Sequence, residues 1–343
     1  MNKSLDFDPC GIEVSARTLV VERRRPGQPD VVREFANTAA GHQALLRWLE
    51  GAGRALRVCL EATGLYGLDL ALTLEAAGVA LMVANPRAVR HFAQAMMQRS
   101  KTDRLDAAVL TEYAARLPFQ PWRPPSPRAL KLLAVARRLE DLTEMHAAEK
   151  NRLHAASVSA ALPAILRRDI QRSLQTLERA LERLRRAAQE FIAADPLLAE
   201  RYALLLSIPG LGPTSPSADG HVLAELLLLA PHLDVRQWVA YAGLDPRHYT
   251  SGSSVHKKAR ISKAGNKHLR RALYMPALVA SQHDAHLGAF YQRLLARGKT
   301  KMQALVAVMR KLLHAIFGIF KHHQPYDGAK LFALPSLQEV IAT

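Results

Sequence analysis

Four carboxylates in this sequence are placed where they could gather around a metal ion. Glu61 closes the apolar run Arg57-Val-Cys-Leu-Glu61, which reads as a buried strand, so its carboxylate falls at the carboxyl edge of a sheet. A carboxylate buried there needs a cation or hydrogen-bond donors. Glu13 holds the same place after Cys10-Gly-Ile. Asp103 and Asp106 are three residues apart in Ser100-Lys-Thr-Asp-Arg-Leu-Asp106, which puts both on one face of a starting helix. Acids converging from two strands and a helix make a hard, oxygen-rich site suited to Mg2+ or Mn2+, and such ions polarise phosphodiesters. The spacing also fits a plain helix start. Ser100-x-x-Asp103 is a capping box, Asp106 suits the positive end of the helix dipole, and Lys101 or Arg104 can pair with either acid. Both readings stay open on spacing alone.

A second concentration of chemistry runs from Arg247 to Leu273. It holds Arg247, Lys257, Lys258, Arg260, Lys263, Lys267, Arg270 and Arg271 and no acid. A solvated helix face mixes signs, so a one-sign run favours phosphate contact. Inside it, Tyr249-Thr-Ser-Gly-Ser-Ser254 reads as a hydroxyl-rich loop in which a serine beside glycine could be an unhindered nucleophile, or could merely cap a turn. No Ser/His/Asp spacing is evident, and His248 and His256 read as loop histidines. Upstream, Gly210 and Gly212 in Ser207-Ile-Pro-Gly-Leu-Gly-Pro213 suggest a turn between helices whose N–H groups could meet a phosphate, or a plain turn. Cys10 and Cys59 lack metal-ligand spacing, and His322-His323 lacks matching ligands.

Positioning these groups requires a sheet followed by helices. Residues 10–14, 18–22, 31–35, 57–61 and 79–83 read as strands, with helices over 38–50 (opened by Thr38) and 65–77. This is an α/β unit over 1–116, a mixed sheet covered by helices, compatible with an RNase H-type fold. Five prolines in Leu117-Pro-Phe-Gln-Pro-Trp-Arg-Pro-Pro-Ser-Pro127 mark a linker over 117–127. Residues 128–200 read as helical, interrupted near Pro163. There Ile170, Leu174, Leu177, Leu181, Leu184, Ala188 and Phe191 form a heptad-spaced seam, either a coiled-coil arm or two ordinary bundle helices. A mainly helical domain over 201–325 and a loosely patterned tail over 326–343 follow.

The chain has 343 residues, 47 Lys+Arg against 30 Asp+Glu, a net charge of +17 and a pI near 10.3, which points to a polyanionic partner. Its N-terminus has no apolar signal core and no uncharged apolar window approaches a membrane span, so the reading is soluble and cytoplasmic, nucleoid-associated when bound, with no membrane partner.

Taken in order, Gly11-Ile-Glu-Val-Ser15, Cys59-Leu-Glu-Ala-Thr-Gly64, Asn85-Pro86, Ser100–Ala107, Ile208–Gly212, Tyr241-Ala-Gly-Leu-Asp-Pro-Arg247, Ser251-Gly252, Arg260-Ile-Ser-Lys-Ala-Gly-Asn266 and Leu269-Arg-Arg271 resemble the DEDD-type insertion-sequence transposases. That group includes the Piv-like invertases and the bridge-RNA-guided recombinases. The resemblance spans roughly residues 10–320. It implies an RNase H-like (RuvC-like) N-terminal domain whose four acids, metal ligands for Mg2+ or Mn2+, fall on Glu13, Glu61, Asp103 and Asp106. It also implies a coiled-coil arm and a helix-hairpin-helix-containing transposase domain with its nucleophilic serine on Ser251. The serine would attack a DNA phosphodiester, leaving a phosphoserine link and a free 3′-hydroxyl. A structured guide RNA would choose the sites, and the protein would act as a dimer to tetramer, joining the acids of one subunit to the serine of another. Two departures stand out: the family's first acid is usually aspartate, and Pro216 and Gly220 interrupt the helix expected after Gly212. A metal-dependent junction nuclease using water and a non-catalytic nucleic-acid-binding remnant are the rival readings.

Overall fold

The computed structural model describes residues 6–331 apart from 26, 52, 62–63, 159–161, 213–219, 231 and 252–254, with the backbone alone at 248, 251, 255–258 and 331. The chain divides into two compact units, Met1–Pro124 and Pro125–Thr343.

The first unit is built on five strands: β1 (Asp8–Val14), β2 (Thr18–Arg23), β3 (Val31–Ala36), β4 (Leu56–Glu61) and β5 (Leu81–Ala84). Their order is β3-β2-β1-β4-β5. The first three pair antiparallel, and β1, β4 and β5 pair parallel, giving the mixed sheet expected. Alternation along the strands divides the core in two. Cys10, Ile12, Val14, Val58 and Leu60 pack with Leu45, Leu49, Leu70 and Leu74 of α1 (Ala39–Glu50) and α2 (Leu68–Ala76). Cys59, Met82 and Ala84 face the other way, against Val89 of α3 (Pro86–Ala95) and Val109, Leu110 and Ala114 of α4 (Asp103–Arg116). Thr38 caps α1 as expected, accepting from the Gly41 N–H. The proline-rich segment 117–127 contains the point where the two units divide, and it is held to the first unit at Trp122. The Trp122 N–H donates to the Leu81 carbonyl (2.7 Å), and its ring joins the core under β1 and β4.

The second unit begins with α5 (Pro127–Val158) and α6 (Ala164–Ala193), with Pro163 as the N-cap of the latter. The two run antiparallel. Leu139 and Leu142 meet Leu181 and Leu184, and Ala156 meets Ile170 and Leu174. Most of the expected seam is thus in contact, but at its far end Ile192 is buried and Phe191 only half-buried. A straight helix drifts against a seven-residue repeat in this way. Leu132, Ala136, Ala188 and Ile192 belong to the same core as the helices that follow, so the base of the helical pair is continuous with them.

Those helices are α7 (Pro196–Leu206), α8 (His221–Leu226), α9 (Val235–Tyr241), α10 (Lys267–Ala272), α11 (Tyr274–His283), α12 (Ala285–Ala296), α13 (Lys301–His322) and α14 (Gly328–Leu331). The helix α13 is long and apolar enough to cross a membrane by length and composition. Half of that window is buried, and Leu305, Val308, Leu312, Leu313 and Ile316 form the centre of the core. Between α9 and α10 the sequence reading of a loop is corrected. Residues there form an antiparallel hairpin of β6 (Pro246–Ser251) and β7 (Val255–Ile261), pairing Thr250 with His256 and Ser251 with Val255. Arg247, Tyr249, Thr250 and Arg260 of this ribbon are exposed, and its sequence offers no apolar alternation to read.

Candidate active site and nucleic-acid interface

The sheet register brings two of the acids side by side. Gly11 pairs with Cys59 and Ile12 with Leu60, so Glu13 and Glu61 stand one step further along neighbouring parallel strands. Alternation turns both toward the face that α4 covers. On α4, Asp103 and Asp106 lie one turn before Ala107 and Leu110, the residues that lead its buried stripe. The expected capping box at Ser100 is not formed. Thr102 is the cap, accepting from the Leu105 N–H (3.3 Å), which makes Asp103 the first helical residue.

What seats α4 there is the missing side chain of Gly11. A Cβ at that position would lie 2.2 Å from the Ala107 carbonyl oxygen and 2.4 Å from the Thr111 nitrogen, so helix and strand touch backbone to backbone. The contact is fastened by Thr111, whose hydroxyl donates to the Ala107 carbonyl (3.0 Å) and lies 3.3 Å from that of Glu22, and by the Arg24–Glu112 ion pair.

The electrostatics show four like charges brought together. Burial pushes the Glu13 carboxyl up to about 7, helped by Asp106, Glu61 and Asp103 and opposed by Lys101. Burial also raises Glu61, with Asp106 adding and Lys101 opposing, and it raises Asp106, with Lys101 opposing and Asp103 adding. Directly adjacent like charges destabilise a sheet, so such a cluster calls for a cation larger in charge than one lysine. Donor chemistry and charge both fit a divalent ion. Among the described residues, however, no set of three or more His, Cys, Asp or Glu is already drawn in to ligating positions. A depression of about 590 Å3 in this unit is lined by Asn37, Thr38, His42, Tyr66 and Asp69, among others, and includes none of the four acids.

In the second unit, Ser251 is the last residue of β6, at the hairpin's tip. Gly252 lies outside the described residues, and of Lys257 and Lys258 only the backbone, on β7, is described. Arg247, Arg260, Lys263, Lys267 and Arg271 are exposed. The one-sign run is not left to solvent throughout, because the fold brings acids to it from elsewhere. Arg271 pairs with Glu140 (3.2 Å) and Glu144 on α5. Half-buried Arg270 donates to the Ala242 carbonyl (2.8 Å), a contact inside the protein. Gly210 is also not where a phosphate would meet it. It is buried at a φ of 93°, and a Cβ there would stand 2.4 Å from the Pro276 carbonyl oxygen, so packing against α11 explains the glycine. Gly212 is half-buried. The Pro216 departure lies outside the described residues, and at Gly220 the chain turns left-handed (φ 79°) directly into α8.

Sequence reasoning missed one polar network. Glu225 is fully buried, accepting from Arg137 Nε (3.1 Å) and Asn266 Nδ2 (2.7 Å). Asn266 also caps α10 and lies 3.2 Å from the Tyr241 hydroxyl. The available signal was a lone acid inside the apolar run Val222-Leu-Ala-Glu-Leu226. Asn266 and Tyr241 come from two of the stretches that carried the family resemblance, and here they close on each other. Cys10 and Cys59 are buried and form no disulfide.

Comparison with known proteins finds matches in both parts of the chain. Residues 10–160 match a DEDD-type family model described as a transposase, and residues 202–292 match one described as the transposase IS116/IS110/IS902 family. The pilin gene-inverting protein of Moraxella bovis is 30% identical over 299 residues, covering 85% of this chain and 89% of that protein. Its counterpart in Moraxella lacunata is 30% identical over the same shares. The 42 kDa protein of insertion element IS900 from Mycobacterium paratuberculosis is 24% identical over 379 residues, 88% of this chain and 93% of that one. A DEDD-type domain implies an RNase H-like fold and divalent-metal use, and a transposase has DNA as its partner. The chain belongs to the IS110-type transposases and is a DNA transposase/recombinase.

Proposed function

We propose that this transposase cuts and rejoins DNA through a covalent phosphoserine at Ser251, with Mg2+ (or Mn2+) held by Glu13, Glu61, Asp103 and Asp106. The observation that carries the reading is the like-charged quartet itself, four carboxylates on one face with Lys101 as their cation. When bound, the ion would polarise a phosphodiester and stabilise its attacking and leaving oxygens. The Ser251 hydroxyl oxygen attacks phosphorus, a P–Oγ bond forms, and the bond to the 3′ oxygen breaks. The serine's proton ends on the departing 3′-hydroxyl. One phosphoester replaces another, so rejoining to a new strand needs no nucleotide hydrolysis. Arg247, Lys257, Lys258, Arg260, Lys263 and Lys267 contact phosphates, with Arg270 and Arg271 fixing the ground beneath them. Site choice by a guide RNA, and assembly of two to four copies through the α5–α6 pair, complete the reading on the strength of the family resemblance.

The test incubates purified protein, its candidate guide RNA and a nicked suicide DNA with Mg2+. A protein–DNA adduct is expected, absent in Ser251→Ala. Asp103→Asn and Asp106→Asn should lose cleavage and keep RNA binding. Cleavage that survives Ser251→Ala would replace the reading with a water-using nuclease, and full cleavage by either Asn variant would remove the metal assignment.

A further inference from the structure

Beside the start of α10 lies a pocket of about 260 Å3 with an unusual division of chemistry. Its floor is apolar, from Leu244 and Met309, both buried, and half-buried Val306. Its rim carries four cations, Lys263, Lys267, Arg270 and Arg271, and no acid. Tyr274, 37% exposed, stands at its edge.

The two arginines are held in place, and the two lysines are open to a ligand. Arg270 is fixed by the Ala242 carbonyl and Arg271 by Glu140 and Glu144. Lys263 sits at a left-handed φ of 52°, strained for a residue with a side chain, and its N–H donates to the Gly243 carbonyl (3.0 Å). Among the described residues neither Lys263 nor Lys267 has an ion-pair partner.

The combination selects its ligand. A bare phosphate needs no apolar floor, and an apolar peptide or lipid tail needs no four-cation rim. Bases stacked inside a duplex cannot enter a concavity. The volume is just under the ~300 Å3 at which pockets for larger organic ligands begin, so one flat ring system fits and a dinucleotide does not. What joins a flat, largely apolar body to phosphates is a nucleotide whose base has left the stack. Aromatic side chains bordered by cations serve single strands in this way.

We infer that this pocket takes one unpaired nucleotide of a DNA strand, its base against Tyr274 and the Leu244–Met309 floor, its flanking phosphates on Lys263 and Lys267. The inference rests on the reading of this basic surface as the DNA interface and adds what that surface recognises: an opened strand rather than a continuous duplex.

The test uses the full-length protein in EDTA and low salt, with fluorescence anisotropy on three labelled duplexes. One is fully paired, one carries a single unpaired thymidine, and one carries an unpaired nucleotide lacking its base. The protein should bind the base-bearing bulge about tenfold more tightly than the abasic one, the order expected for one base–aromatic stack. Tyr274→Ala should reduce that ratio to about twofold or less, and Tyr274→Phe should keep it. Equal affinity for the two bulges, or an undiminished ratio in Tyr274→Ala, overturns the pocket while leaving the DNA interface intact. No binding of any duplex overturns both.

Discussion

Each unit contains a set of acids drawn partly or wholly out of solvent, and the fold treats the two sets in opposite ways. In the second unit, Glu225 is sealed from solvent with Arg137 and Asn266 on its oxygens, and Glu140 is flanked by His268 and by Arg271 at 3.2 Å. Both of these buried acids have cationic or hydrogen-bonding partners on their oxygens, which is what stability demands. In the first unit, neighbouring acids raise the Glu13, Glu61 and Asp106 carboxyls, and Lys101 opposes them at all three. That arrangement lowers stability, and it is retained on a face held by backbone contact at Gly11. Acids neutralised in one place and crowded in another are the contrast on which the metal-site proposal rests.

The sharpest way to break this contrast is to remove a partner from the satisfied set. Arg137→Ala leaves the fully buried Glu225 with Asn266 alone. The second unit should lose about 3 kcal/mol, the scale for breaking a buried pair from one side. Urea unfolding followed at Trp238, which packs in that unit's core, reads it out. Asp106→Asn, by contrast, should leave the first unit at least as stable as before. If the two variants changed places, with Arg137→Ala neutral and Asp106→Asn costly, the division between structural and functional acids would collapse.

The sequence carried much of the first unit because its strands are short, β-branched and buried on alternating faces, and because Thr38 is a strong helix-start residue that does cap α1; the helix that Asn85 caps, α3, was not read. Glu61 was visible as a charge closing an apolar run. Lys101 was legible as a neighbour of the acids but not as their shared cation, since that depends on where β4 and α4 meet. The hairpin at Pro246–Ile261 was invisible because its sequence is polar and cationic, with no apolar alternation. The acids that hold Arg271 come from α5, more than a hundred positions away in the chain, and no local window could have paired them. Gly11 belongs to the same class of contact. Its residue type was plain, but its reason, an α4 backbone 2.2 Å from where a Cβ would go, exists only after folding.

Gly11→Ala therefore sharpens the comparison from the other side. Overpacking at a backbone contact should cost the first unit about 2–3 kcal/mol. Unfolding followed at Trp48, whose ring packs against that unit's core, measures it. Displacing α4 should also carry Asp106 and Asp103 away from Glu13, so the Glu13 carboxyl, followed by carbon NMR, should titrate below about 7 and nearer the ordinary glutamate range. An unchanged Glu13 titration would mean that the strand pair alone sets the charge cluster and that α4 contributes no part of it.

The smallest effect concerns Glu13 itself and fixes a sign. Its carboxyl is raised from 4.5 to about 7 by burial first and by the neighbouring acids second, so the folded chain binds a proton more tightly than the unfolded one. Stability from that proton is fully present below about 4.5 and is lost as pH rises through about 7. In EDTA the first unit should thus be weaker at pH 8 than at pH 5, and Glu13→Gln should lose most of that difference. After allowance for solvent screening the gain at pH 8 is about 1–2 kcal/mol, with little change at pH 5. Urea midpoints of both proteins at both pH values decide it. A Gln variant that is less stable than the parent at pH 8 would place Glu13 among the partnered acids. The two units would then be alike in neutralising what they bury, and the case for a cation at the quartet would lose its electrostatic ground.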